Sequence, residues 1–191
     1  SAAHAPFALL MAGGALLELA GATMFTVSAA LTLRPSVAEG APNALLMLSG
    51  MAWLVVQATL GADWFSQLAL DGAGVLRSDR DGLLVSVQFY GFLLCVFSGV
   101  GLRTFPSFFG MPQPSVRLGY ATFVLLQGGL LLWVGGSLLV LADVEAGWAI
   151  AAGQALVGVG VLTLVSTFGW WRRETRFAVA SQPLAWPLRA T

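Results

Sequence analysis

Twenty residues, Leu83 to Leu102, pass without a charge as LLVSVQFYGFLLCVFSGVGL. At ~1.5 Å per residue a helix of that length crosses a hydrocarbon layer about 30 Å thick. Lipid offers no water to satisfy backbone polar groups, so a lone segment of this kind must be helical. RTFPSFFGMPQP follows it. Arg103 can snorkel towards the headgroups, and Phe105, Phe108 and Phe109 suit the same boundary. Pro106 removes a backbone donor and biases its predecessors against the helix, which predicts a stop that pushes Thr104 and Phe105 out of helical geometry. The stretch reads as a membrane span with a marked end.

Four more apolar runs repeat the theme. The sequence predicts an all-α fold, a polytopic transmembrane helical bundle of about five spans at 7–33, 44–69, 83–102, 118–142 and 148–171. Together they form a single transmembrane domain over 1–191. Composition agrees: 58% of the chain is hydrophobic and 9% charged, whereas soluble domains carry about a quarter charged residues. Between the spans, Arg34 to Asn43 reads as a turn-rich loop. Leu70 to Gly82 is the most polar connector, and its Asp79, Asp81 and Gly82 echo a calcium loop without the acid expected further on. Residues 172–191 read as an interfacial or extended tail.

Net charge is zero, which argues against nucleic acid as a partner. One cysteine and one histidine leave no internal disulfide and no multi-histidine metal centre within the chain. Ser1 to Pro6 holds no basic region, so the first run is expected to be a retained span and not a signal peptide. A chain that starts at Ser1 and ends on SQPLAWPLRAT is expected to be part of a longer protein. Arginine counting sets the expected orientation. Arg77 and Arg80 lie on one side; Arg34, Arg103, Arg117, Arg172, Arg173, Arg176 and Arg189 lie on the other. The second side should be cytoplasmic, with the C-terminus there and the N-terminus outside.

Polar residues inside the spans are the candidate site. Glu18 shares a helix face with Gly14, Gly21 and Ala22, a small-residue face expected to point into a bundle. A mid-membrane carboxylate costs at least ~2.5–3.5 kcal/mol on insertion scales, so Glu18 should be protonated or partnered. Gln57, Gln88, Gln127 and Gln154 place one amide in each later span. They act either as interhelical glue or as the lining of a polar cavity for a quinone, a pigment or a proton path. Gly128–Gly129 and Gly135–Gly136 form a stripe on span four. Glu18 and Gln127 come out at similar depth, which predicts that spans one and four touch through that stripe, with Glu18 neutral and bonded to Gln127. Arg103 is a lipid anchor or a clamp for a cofactor carboxylate. His4 is a solvated boundary residue or a haem or metal ligand. Cys95 is expected to be a small packing residue. No nucleophile elbow, phosphate loop or metalloprotease helix is present, so catalysis by this chain alone is not expected.

QFYGFLLCVFSGVGLRTFPSFFG, Gln88 to Gly110, resembles the NnrS-type haem- and copper-containing membrane proteins, as does LLELAGATMF, Leu16 to Phe25. The resemblance implies a bacterial inner-membrane protein linked to nitric oxide metabolism. That family's intramembrane histidines have no counterpart here apart from His4, so haem is expected only with ligands from outside this chain. Three functions follow, in order of expectation. The first is a non-catalytic multi-span subunit of a larger bacterial membrane complex, one handling electrons, with the lipid bilayer, bound lipid and other membrane subunits as partners. The second is an NnrS-like haem or copper protein. The third is a small transporter resting on Glu18.

Overall fold

The computed structural model describes residues 5–72, 75–109 and 113–168. His4 and the 172–191 tail lie outside the described residues. The described chain is all helical: α1 (Ala5–Ala38), α2 (Pro42–Asp71), α3 (Ser78–Ser86), a π-helical segment (Val87–Leu93), α4 (Leu94–Phe109), α5 (Val116–Leu141) and α6 (Gly147–Thr167). From α3 to α4 the helix is continuous, so five helices are long and apolar enough to cross a membrane. This is a multi-pass membrane protein. We call the end carrying the α2–α3 and α5–α6 connections the upper end, and the opposite end the lower.

Two expected stops are overrun. α1 continues through Pro35 to Ala38, and the 78–109 helix continues through Pro106 to Phe109. Thr104 and Phe105 are therefore helical. A proline inside a helix forfeits one hydrogen bond, but unwinding in an apolar setting would strand several backbone groups at once. Next to each proline a threonine returns its hydroxyl to the backbone: Thr32 Oγ1 donates to Ser28 O at 2.9 Å and Thr104 Oγ1 to Val100 O at 2.9 Å. The polar connector shortens likewise, because Ser78 to Gly82 belongs to α3. At the top of α2 the turn needs Gly72, which at φ 64° closes the helix in left-handed geometry with its N–H on Leu68 O.

Packing is decided by where backbones can come close. α1 lies along α2, with Thr26 Oγ1 donating to Met51 O at 3.1 Å. α2 seats the 78–109 helix on glycines: a Cβ on Gly99 would meet Asn43 O at 2.6 Å, and one on Gly91 would meet Trp53 Cβ at 2.9 Å. α5 and α6 form a hairpin through Gly129, Gly136 and Gly153. Leu46, Val87, Cys95, Leu126 and Leu130 fill the middle. Trp64 and the guanidinium of Arg80, 5.6 Å from its ring, close the upper end of α2.

The expected packing of span one on span four is not what forms. The buried glycines of the stripe, Gly129 and Gly136, face Val157 and Ile150 of α6, while Cβ atoms on Gly128, Gly135 or Gly14 would meet nothing within 4 Å. The two registers explain why. Trp53 is level with Gln127, and the Thr26–Met51 bond brings Met24 to that same height. Glu18, six residues up α1, stands about 9 Å above Gln127.

Candidate functional site

Gln127 is the centre of the polar interior. Its Oε1 accepts from Trp53 Nε1 at 2.8 Å, and its Nε2 donates to Ser49 Oγ at 3.0 Å and approaches Cys95 Sγ at 3.3 Å. Three helices are tied at one level by these bonds. Cys95 is fully buried, and its polar neighbours are the Gln127 amide, the Ser49 hydroxyl and the Tyr90 carbonyl. One turn above Trp53, Gln57 is buried and its Oε1 has no partner; Thr122 Oγ1 is buried and unpartnered below. Among the described residues, no three of His, Cys, Asp and Glu come together as a metal set would. Such an arrangement can bind and brace, and holds no reacting pair.

The π-helical segment sits at this level on the neighbouring helix. Its wider turn lets Gly91 lie under Trp53 while Tyr90 turns outward to meet Trp133 in a tilted contact, centroids 5.0 Å apart. π segments often accompany functional sites because they re-aim side chains without ending the helix.

That re-aimed Tyr90 marks a cleft between the 78–109 helix and α6. The upper part is a chamber of about 550 Å³, lined by Arg77, Asp79, Ser86, Trp133, Ser137, Asp143 and Gln154 among others. Below it an apolar groove of about 630 Å³ runs along Ser86, Phe89, Tyr90, Leu93, Phe97 and Val161. Ser86 belongs to both walls. Lower still, the Phe105 and Phe168 rings meet at 5.4 Å, outside the lining of either cavity. Arg77 Nη2 donates to Asp79 at 2.7 Å, the one ion pair among the described residues. The hydroxyls of Ser86 and Ser137 donate to Gly82 O at 2.8 Å and Trp133 O at 2.9 Å, so both oxygens turn lone pairs outward.

The sequence-derived residues therefore scatter. Gln127 and Gln57 are interior, on separate levels. Gln154 lines the chamber. Gln88 and Arg103 are exposed. Glu18 is exposed as well, on a helix that has only 6% of its apolar window buried against 28–44% in the other four; Gly14 and Gly21 are exposed with it, while Ala22 at the edge of that face is buried. Sequence reasoning missed Trp53, Ser49, Ser86, Trp133, Ser137 and Asp143. Serines on apolar helices and tryptophans near their ends are too common to stand out, and the pattern of the π turn is not legible in VQFYGFL. The chain matches no family model, no curated protein and no solved structure, so the resemblance at Gln88 to Gly110 rests on those residues themselves.

Proposed function

We propose that this chain is a non-catalytic multi-span subunit of a larger bacterial inner-membrane assembly, and that α1 is the helix by which it joins that assembly. One observation carries the reading: α1 is the least covered span, and Glu18 stands on its uncovered side between Gly14 and Gly21 without a bonded partner. A carboxyl at that depth is stable against a protein face, which can bond it, and unfavourable against lipid. The small residues flanking it allow a partner helix to come close. Arg34, Arg103 and Arg117 at the lower end, against Arg77 and Arg80 at the upper, support a cytoplasmic lower end. Electron handling is part of this proposal, and nitric oxide metabolism is the setting that the Gln88 to Gly110 resemblance implies.

Native electrophoresis of gently solubilised membranes tests this. Wild type should migrate well above the mass of one chain and its detergent. Glu18→Gln, which keeps hydrogen bonding, should migrate with it, whereas Glu18→Leu and Gly21→Leu should shift most of the chain to the monomer position. Neither leucine meets a neighbour within this chain, so folding should be untouched. A wild-type chain extracted wholly as monomer would sink the proposal.

A further inference from the structure

The cleft between the 78–109 helix and α6 has an occupant chemistry written in its walls, independent of α1. We propose that it binds a single-chain cationic amphiphile, with an ammonium head in the upper chamber and an apolar chain in the groove below. Charge comes first. Arg77 is held by Asp79, which leaves Asp143 as the wall's carboxylate outside any ion pair among the described residues. Hydrogen-bond polarity agrees, since the Ser86 and Ser137 protons are committed to their own helices and their oxygens present acceptors. Gln154 is exposed to the chamber and adds a carbonyl oxygen that can turn towards a cation. The tilted Tyr90–Trp133 pair, its rings 50° apart, offers aromatic faces where the two compartments meet, and ammonium groups settle on such faces. Beneath it the groove is walled by Phe89, Leu93, Phe97 and Val161.

The same walls disfavour the alternatives. A phospholipid head would bring a phosphate to a chamber whose guanidinium already holds Asp79. A quinone asks for donors, and this wall is rich in acceptors. An anionic amphiphile would face Asp143.

The test uses the full chain in phosphatidylcholine nanodiscs, with radiolabelled dodecyltrimethylammonium as the probe and protein-free discs as the blank. Saturable binding of one probe per chain above the blank is expected, displaced by unlabelled probe and not by dodecyl sulfate. Asp143→Asn should lower the affinity roughly tenfold, as removal of one charge partner from a partly enclosed site does. Asparagine tolerates the positive φ of 59° found at Asp143, so the turn should survive. Phe97→Ala, at a 68% exposed position of the groove, should lower it about threefold through lost apolar contact, and gives a second reading where folding is not at stake. No saturable excess would overturn the proposal, and would mean that bulk phosphatidylcholine fills the cleft or nothing does. Displacement by dodecyl sulfate as effective as by the probe, or full affinity in both variants, would overturn it too.

Discussion

Gly153→Leu is expected to separate α5 from α6 and leave little folded protein. A Cβ at this position would lie 2.6 Å from Gly129 O and closer still to the Trp133 backbone. Backbone cannot rotate aside as a side-chain tip can, so the helices must part. Overpacking a tight core costs about 1–3 kcal/mol where side chains can adjust, and more where they cannot. The α5–α6 contact is also the main support of α6, and the Phe168 ring that meets Phe105 lies just beyond it. Gly128→Leu is the matched control: nothing lies within 4 Å of its Cβ, and its effect should stay within about 0.5 kcal/mol. Thermal unfolding followed by tryptophan fluorescence in mild detergent reads both. Equal midpoints for Gly153→Leu and wild type would show that the hairpin does not depend on this contact.

Gln127→Leu is the second large effect expected. Leucine is close in volume but leaves the Trp53 Nε1–H and the Ser49 hydroxyl facing an apolar group, where both now meet the amide. An orphaned buried donor costs about 1–3 kcal/mol, more than the net worth of the bond it made. A double-mutant cycle isolates the cause. With Trp53→Phe already present, Gln127→Leu should be milder by about 1 kcal/mol or more, because the stranded donor is gone; Ser49 loses only the amide it accepts from and keeps its own bond to Leu46 O. Additive losses would mean that the Trp53–Gln127 bond contributes nothing. Gln127→Glu should also destabilise, since the Oε1 partner is kept while the amide donor to Ser49 is lost.

The residues show how far sequence reasoning reaches. The seats at Gly99 and Gly153 were not singled out by the sequence. The Gly128–Gly129 and Gly135–Gly136 stripe was legible as small residues in an apolar helix, and its consequence, close approach of some neighbour, was legible with it. Which neighbour was not. Gly128–Gly129 and Gly135–Gly136 look alike in sequence, yet Gly129 and Gly136 are seated on α6 while Gly128 and Gly135 meet nothing. Gln127 was expected to answer Glu18. It answers Trp53, Ser49 and Cys95 instead, partners 74, 78 and 32 residues away, and the Tyr90–Trp133 pair that marks the cleft follows from a π turn without a sequence signature.

Five membrane-crossing helices were determined by the sequence alone, because uninterrupted apolar stretches of that length leave the backbone no other way to satisfy itself in lipid. The stop read into Pro106 and the loop expected from Arg34 failed for that same reason, since continuing the helix strands fewer groups than ending it. The pairing of helix faces was left to the tertiary structure. In water, burial of an apolar stripe tells a helix which face turns inward; among spans that are apolar all round, lipid is as good a neighbour as leucine and that signal vanishes. Steric fit then decides, one backbone against one glycine at a time, and it set α6 on Gly129, the 78–109 helix on Gly91 and Gly99 beside α2, and Glu18 on the outside.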